Sequence, residues 1–206
     1  MRPAAGWPLQ EFAARVGVPL PAESEARLAS WLDTLVVWNA RMDLTAARST
    51  DELLDLMLAD ALVLSEELAE GAVVVDVGTG AGAPGFALAC LRPDLDLHLV
   101  DPHTKRISFL RVASSEARVE NARLYLGSME HIAHRLPPCD EATARATFAP
   151  EIWLDRARTL LQGAPRIWLF LAREAAPKGA VAASELHYNW PMTGAERSLV
   201  AIKPTH

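Results

Sequence analysis

A glycine loop that begins with an acid is the stretch whose residue types and spacing first suggest chemistry. It runs from Asp76 to Gly85, with further glycines at positions 78, 80 and 82, and it follows the apolar β-branched residues 73–75. Such a run predicts a buried parallel strand. Glycine takes positive φ at little cost and lets another group lie against bare backbone. A loop of this kind after a parallel strand indicates a nucleotide-type cofactor.

Two cofactors fit the loop. The spacing Gly80-x-Gly82-x-x-Gly85 matches the dinucleotide pattern of an oxidoreductase. The acid-led pattern from Asp76 is instead typical of the S-adenosylmethionine loop of class I methyltransferases. Asp76 would repel a pyrophosphate but suits a cofactor with an amino group and a sulfonium, and Pro84 lies inside the dinucleotide match. The sequence therefore favours S-adenosylmethionine, with the dinucleotide as the alternative.

Two further turns are expected beside this loop. Residues 95–100 predict a second strand that ends at Asp101, where an acid can accept hydrogen bonds from both hydroxyls of a ribose. After a third strand, the turn at 127–130 places Met129 to pack on an adenine and Glu130 to meet the adenine amine. Because ligands of open α/β sheets bind beyond the carboxyl ends of the strands, these turns are expected to converge on one pocket.

Composition limits the class of protein. The chain has 206 residues, of which 50% are hydrophobic and 22% charged, as is ordinary for one globular domain. No apolar run approaches the about 18 residues that a membrane span needs. The N-terminus lacks a signal-type apolar core, and the two cysteines predict neither a disulfide framework nor a metal site. A cytoplasmic protein without membrane or metal partners is therefore expected.

Charge is unevenly distributed along the chain. The formal net charge is −6, and residues 51–70 contain seven acids and no Lys or Arg. Residues 102–123 instead contain five basic residues against two acids. Salt screens charges beyond about 10 Å, so a local basic face can bind RNA phosphate on an acidic protein. Net charge therefore does not decide whether the partner is a nucleic acid.

The order of the elements predicts an α/β fold, a Rossmann-like doubly wound sheet that is mostly parallel and carries an antiparallel C-terminal hairpin. Amphipathic helices precede the first strand. They are expected to form an N-terminal helical cap over residues 1–70, with the methyltransferase domain over residues 71–206, in one compact unit. Ser24 is expected to cap the second helix, Trp31 to pack in the core, and residues 53–68 to form the last helix of the cap.

Motifs along most of the chain point to one family. The glycine loop ending in Pro84-Gly85, combined with Lys105-Arg106-x-x-Phe-Leu, is more specific than a glycine loop alone. Other pieces that fit the same pattern are Trp38-Asn39, Leu44-Thr45, Arg92-Pro93, Leu99-Val100-Asp101, Glu120-Asn121, Arg145-Ala146 and Gly194-Ala-Glu-Arg197. Over about residues 25–203 the chain resembles the bacterial small-subunit ribosomal RNA 7-methylguanosine methyltransferases, also called the glucose-inhibited division protein B family.

The resemblance implies an activity and a set of site residues. The activity is methyl transfer from S-adenosylmethionine to guanine N7 in 16S ribosomal RNA, with that RNA or the small ribosomal subunit as partner. N7 has a lone pair and no proton to lose, so catalysis is mostly positioning, and the lack of a visible nucleophile or base is expected. Arg145 is implied as the catalytic residue and as a cofactor contact. The loop pattern and the resemblance together give the other cofactor contacts as Asp76, Gly78, Gly80, Gly82, Ala83, Asp101, Met129 and Glu130. The expected RNA contacts are Lys105, Arg106 and Arg111.

The chain departs from the family pattern at several positions. Residues 56–61 read Leu-Met-Leu-Ala-Asp-Ala where the family usually shows Arg-His-Ile-x-Asp-Ser, so only the acid is kept. Ser128 stands where the family usually has an arginine, and Arg173-Glu174 where it has Lys-Gly. The departures keep two alternatives open: a relative that methylates a small molecule or another nucleobase-like substrate, and a non-catalytic binding or assembly protein. The positions at which substrate choice is then expected are Met57, Ala61, Ser128 and Arg173.

Overall fold

A seven-stranded sheet forms the centre of the structure, a computed structural model that describes residues 6–163, 165–172, 176–178 and 180–203. The strands are β1 (Val73–Val77), β2 (Asp96–Asp101), β3 (Ala122–Leu126), β4 (Glu141–Thr143), β5 (Arg166–Leu171), β6 (Ala182–Asn189) and β7 (Glu196–Ile202). Their order is β3-β2-β1-β4-β5-β7-β6. β1 to β5 are parallel, and β7 pairs antiparallel with both β5 and β6. The predicted mostly parallel sheet with a C-terminal hairpin is confirmed.

Helices pack on both faces of the sheet. They are α1 (Leu9–Val16), α2 (Ala22–Met42), α3 (Thr50–Leu54), α4 (Asp60–Ser65), α5 (Gly85–Leu91), α6 (Thr104–Glu116), α7 (Met129–Ile132) and α8 (Pro150–Leu160). Successive side chains of a strand point to opposite faces, and Val74 and Val75 accordingly belong to two separate core clusters. The first cluster joins the helices before β1 to the sheet, for example through Leu32 and Leu97. The predicted division at residue 70 into a cap and a domain stays a prediction.

A π-helical turn interrupts the helix that was predicted as continuous over residues 53–68. It spans Asp55–Ala59, between α3 and α4. The side chain of Ser49 accepts a hydrogen bond from Glu52 N and so caps the start of α3. A π turn bonds residue i to i+5 instead of i+4, which changes the face that each following side chain presents. The periodicity of the sequence does not reveal this shift.

Ser24 is not the N-cap of α2, contrary to prediction. The helix begins at Ala22, after Pro21, and Ser24 lies buried within its first turn. Its hydroxyl donates to the backbone oxygen of Leu91 at 3.1 Å and so ties α2 to the end of α5. The prediction that Trp31 packs in the core is confirmed, because its side chain is fully buried.

Candidate functional site

The glycine loop lies over the carboxyl ends of β1 and β2. The N–H groups of Gly78 and Thr79 donate to the oxygen of Val100, at 2.8 and 3.0 Å. Gly78 and Gly80 have φ of 75° and 61°, in the left-handed region that side chains with a Cβ rarely adopt. The loop is therefore fixed against the neighbouring strand, with two glycines at the positions where the chain turns.

The later part of the loop faces the core. A Cβ built on Gly82 would lie 2.6 Å from Phe86 Cβ and 3.2 Å from Trp31 Cζ2, and Ala83 is buried. The indole N–H of Trp31 donates to the oxygen of Ala81 at 3.2 Å. Gly82 is thus required for close packing, and a helix of the N-terminal region braces the loop. Cofactor contact by Gly82 and Ala83 stays a prediction.

Asp76 is a buried carboxyl beneath the loop. Its Oδ2 accepts a hydrogen bond from Gly85 N at 3.0 Å, whereas Oδ1 is buried and has no partner among the described residues. Burial raises the pKa of Asp76 from 3.8 to about 6, and the Gly85 N–H offsets part of this rise. The nearby Thr79 hydroxyl also lowers the pKa of Asp76, although its distance and angle to the carboxyl do not meet those of a hydrogen bond. One acceptor oxygen beneath the loop is therefore left for a cationic donor.

Asp101 ends β2 and is surrounded by four donors. Oδ1 accepts from the His103 backbone N–H at 2.8 Å and lies 2.9 Å from His103 Nδ1. Oδ2 accepts from Gly80 N at 3.0 Å and from Arg106 NH1 at 3.2 Å. A carboxylate offers about four lone-pair positions, so all are used. The two backbone donors hold the carboxylate in place, and the His103 and Arg106 side chains take its remaining lone pairs. Ribose binding by Asp101 stays a prediction.

The β3 turn contributes one buried and one exposed side chain. Met129 is buried in the second core cluster. The exposed Glu130 side chain forms an ion pair with Arg156, and its pKa is lowered, chiefly by a hydrogen bond from its own backbone N–H. Ser128 directly precedes α7, and its Oγ lies 2.8 Å from His131 Nδ1. The adenine contacts expected of Met129 and Glu130 stay predictions.

The three basic residues expected to meet RNA differ in their surroundings. Lys105 donates its ammonium to the backbone oxygen of Met42 at 3.0 Å. Arg106 is half-buried and forms an ion pair with Asp101. Arg111 is exposed on α6. RNA contact by any of the three stays a prediction.

Arg145 lies at the end of β4 and is held by a buried acid. Its NH1 donates to Asp60 Oδ2 at 3.0 Å, with side-chain exposures of 14% and 4% for the two partners. Asp60 Oδ1 also accepts from the Tyr188 hydroxyl at 2.7 Å and from the Trp190 indole N–H at 2.8 Å. One carboxylate thus joins the π turn, the β4 loop and the β6–β7 hairpin. Burial raises the pKa of Tyr188, and the Asp60 charge adds to this rise.

The segment after β4 also touches the glycine loop. Thr147 Oγ1 donates to the oxygen of Gly78 at 3.4 Å and to the oxygen of Arg145 at 3.1 Å. A Cβ built on Gly78 would lie 2.2 Å from this Thr147 oxygen. The Thr147 side chain therefore fills the space over the bare backbone of Gly78, against which a cofactor is expected to lie.

Two adjoining cavities open at the hairpin edge of the sheet, and Arg145 lines the smaller of them. One, of about 360 Å³, is lined by the π turn, the β4 loop, the end of β5 and the hairpin. The other, of about 600 Å³, is lined by the end of α1 and the hairpin. Ala172 and Arg197 line both. The glycine loop lines neither, so the Thr147 segment separates it from the first cavity.

The structure shows which side chains of residues 56–61, in the π turn and the start of α4, reach this region. Met57 and Ala61 were expected to influence substrate choice, but both are buried in the first core cluster. Leu56 and Asp60 line the cavity instead. Arg173 lies outside the described residues.

Several residues at the site were not predicted from the sequence. Trp31 was assigned to the core alone, although it also binds the loop backbone. Thr147, Tyr188 and Trp190 belong to no motif that stands out in the sequence, and they contact residues that are distant in the chain. Arg197 was noted only as part of the Gly194–Arg197 motif, without its contact to Trp190.

Two features are absent from the described residues. No helix in that part of the chain is long and apolar enough to cross a membrane. In the same residues no group of three or more His, Cys, Asp or Glu side chains is arranged to hold a metal ion.

The fold and the arrangement of these loops define a class I S-adenosylmethionine-dependent methyltransferase. A TehB-like methyltransferase from Corynebacterium glutamicum superposes with a TM-score of 0.55 at 15% identity, covering 84% of this chain and 99% of that chain. A SAM-dependent methyltransferase from Aquifex aeolicus gives a TM-score of 0.54 at 15% identity, covering 74% and 92%. At such identities the likeness concerns the fold alone.

Sequence relatives narrow the class to one family. The family model for rRNA small subunit methyltransferase G matches residues 24–186. Ribosomal RNA small subunit methyltransferase G of Anaeromyxobacter dehalogenans is 32% identical over 77% of this chain and 74% of the relative. The protein of the same name from Edwardsiella ictaluri is 30% identical over 95% and 97%. The chain belongs to the rRNA small subunit methyltransferase G family, as the resemblance predicted, and the dinucleotide alternative is set aside.

Proposed function

We propose that this protein transfers a methyl group from S-adenosylmethionine to N7 of a guanine in small-subunit ribosomal RNA. The observation that carries the proposal is the glycine loop hydrogen-bonded to Asp101 at the carboxyl ends of β1 and β2, in a chain of this family. The names of the relatives support ribosomal RNA as substrate and do not favour a small-molecule substrate.

The residues present fit the proposed cofactor. The unpartnered Oδ1 of Asp76 suits the cofactor's amino group, because a buried acceptor without a donor is costly and gains most from a cationic one. Asp101 keeps its two backbone donors and exchanges the His103 and Arg106 side chains for ribose hydroxyls. Gly78 offers bare backbone once Thr147 moves aside.

The proposed reaction depends chiefly on the position of guanine N7 relative to the methyl group. When bound, the cofactor would supply a methyl group to the N7 lone pair; the carbon–sulfur electron pair would go to sulfur and the positive charge to the base. No proton leaves N7, so the protein needs no strong base and contributes chiefly by holding the acceptor in line. Arg145 is the residue we assign to this task, because Asp60 fixes its guanidinium and its charge acts on Asp76 beneath the glycine loop.

Three measurements test the proposal. S-adenosylhomocysteine titrated into the purified protein is expected to bind, and absence of binding would contradict every methyltransferase role. Mass mapping of small-subunit ribosomal RNA from strains with and without the gene is expected to show one 7-methylguanosine lost on deletion. A deletion strain with unchanged 7-methylguanosine and no second enzyme would refute the RNA substrate. Methylation of this RNA in vitro should weaken as salt rises, because phosphate contacts release counterions.

A further inference from the structure

The smaller cavity at the hairpin edge has the chemistry of a site for a flat, polar ring. Its volume is about 360 Å³, and three aromatic side chains, Phe148, Phe170 and Trp190, contribute to its walls. Two guanidinium groups, those of Arg145 and Arg197, also line it. Unstacked nucleobases in RNA are bound by this combination of aromatic rings and arginine planes.

Asp60 holds one of these guanidinium groups ready to donate. The carboxylate fixes both the Trp190 ring and Arg145 through hydrogen bonds of 2.8 and 3.0 Å. A guanidinium has five N–H donors, and Asp60 takes one from Arg145. Arg145 lines the cavity, and its other N–H groups are left for a ligand there. Because its counter-charge is fixed beside it, Arg145 can donate to a ligand without placing an uncompensated cation there.

Arg197 supplies a planar surface at the opening. Its Cζ lies 3.8 Å from the centroid of the Trp190 ring, and its NH1 donates to the oxygen of Glu196 at 2.7 Å. The guanidinium thus lies over the indole ring, and Arg197 lines both cavities. In the larger cavity Arg15 and His187 also contribute to the lining. The charge of Arg197 therefore lies where a strand entering from the larger cavity would pass.

The smaller cavity also adjoins the place proposed for the cofactor. Arg145, Ala146 and Phe148 line it, while Thr147 between them contacts Gly78 of the glycine loop. One short segment thus lines the cavity and also contacts the glycine loop. A base in the cavity and a methyl donor on the loop would meet across this segment.

We propose that this cavity receives the guanine to be methylated, turned out of the RNA, with Arg145 donating to guanine O6 and Arg197 stacked at the entrance. The proposal rests on the function proposed above and assigns its acceptor site. Adenine carries an amino group where guanine has O6, so a donor would face a donor and adenine is disfavoured. As N7 takes the methyl group the base becomes cationic, and the neutral Asp60–Arg145 pair avoids repelling it.

Variants of Arg197 test the entrance. Arg197→Ala is expected to lower kcat/KM for RNA about tenfold or more, through KM, because the stacking plane is lost. Arg197→Lys keeps the charge without the plane and should recover little. Both should bind S-adenosylhomocysteine like the wild type. Arg158→Ala is the matched control, because Arg158 is exposed on α8 and lines neither cavity. Wild-type kinetics in Arg197→Ala would overturn the proposal.

A binding comparison tests the base itself. Equilibrium dialysis with S-adenosylhomocysteine present is expected to show guanosine 5′-monophosphate bound more tightly than adenosine 5′-monophosphate. Arg145→Lys keeps the charge for Asp60 with fewer donors and should reduce this preference. Equal binding of the two nucleotides would overturn the assignment. This comparison requires no turnover, so it judges the cavity separately: a wild type that methylates RNA without nucleotide preference refutes the cavity alone, and one that methylates no RNA refutes the proposed function.

Discussion

Asp55 begins the π-helical turn and Asp60 directly follows it as the first residue of α4, and both accept hydrogen bonds from the β6–β7 hairpin. Asp55 accepts from the backbone N–H groups of Met192 and Thr193 and from the Thr193 hydroxyl, at 2.7 to 3.1 Å. Asp60 accepts from two hairpin side chains and also from Arg145. The two acids therefore anchor the same hairpin, but of the two only Asp60 also accepts a hydrogen bond from Arg145 in the described residues.

This difference allows anchoring to be separated from positioning. Asp55→Asn and Asp60→Asn are each expected to lower the free energy of unfolding, on the order of 2 kcal/mol, because buried charged acceptors are weakened. Below both unfolding transitions, Asp60→Asn should lower kcat about tenfold, since Arg145 loses its fixed orientation. Asp55→Asn should keep kcat near the wild-type value. Denaturant titration and single-turnover methylation measure the two effects, and equal losses of kcat in both variants would contradict the positioning role.

Asp101 and its donors make a prediction about cofactor binding. Asp101→Ala should weaken S-adenosylhomocysteine binding about tenfold to a hundredfold, because charged hydrogen bonds to the ribose are lost. His103→Ala removes a side-chain donor from Oδ1 but leaves the backbone donor, so this variant should bind at least as tightly as the wild type. Isothermal titration compares them. Equal weakening by both substitutions would mean that the His103 side chain supports the site and does not compete for it.

Thr147 should limit access to Gly78. Thr147→Ala removes the side chain that lies over Gly78 and is expected to raise the affinity for S-adenosylhomocysteine severalfold. Thr147→Val keeps the bulk without the hydroxyl and should leave the affinity near that of the wild type. The test is a competition titration of the three proteins. An affinity gain for both variants would assign the effect to the hydrogen bonds of the hydroxyl and not to its volume.

The buried Asp76 carboxyl should make stability depend on pH. Its pKa is raised from 3.8 to about 6, so the folded protein holds a proton that the unfolded chain releases between these values. The free energy of unfolding should therefore fall as pH rises through this window, by about 3 kcal/mol for a shift of about two units. Asp76→Asn carries no charge and should escape this loss. Urea titrations across this pH window are expected to show the free energy of unfolding of Asp76→Asn rising relative to that of the wild type as pH rises. A difference in unfolding free energy that does not change with pH would contradict the raised pKa.

Trp31 should couple the N-terminal helices to the glycine loop. Trp31→Phe keeps an aromatic ring but removes the donor to Ala81 O, so a loss of about 1 kcal/mol in the free energy of unfolding is expected. Weaker S-adenosylhomocysteine binding should accompany it, because the loop loses its brace. Trp38→Phe is the control, since Trp38 packs on Phe109 away from the loop. A binding loss that is the same for both variants would refute the coupling.

The sequence by itself determined the elements whose rules are local. The strand, glycine loop and acid at Asp101 follow from β-branched runs, from backbone positions that need positive φ and from the end of a strand. These features depend on neighbours in the chain, so they were predictable together with the family.

Only the tertiary structure decided which side chains meet. Asp60 reaches Tyr188 and Trp190, 128 and 130 residues away, because the strand order brings the hairpin beside the π turn. The π turn itself decides that Leu56 and Asp60 line the cavity while Met57 and Ala61 enter the core. No local periodicity encodes this, because a single additional residue in a turn rotates every side chain that follows. The carboxyl at Asp101 was visible in the sequence, but that His103 and Arg106 occupy it was not.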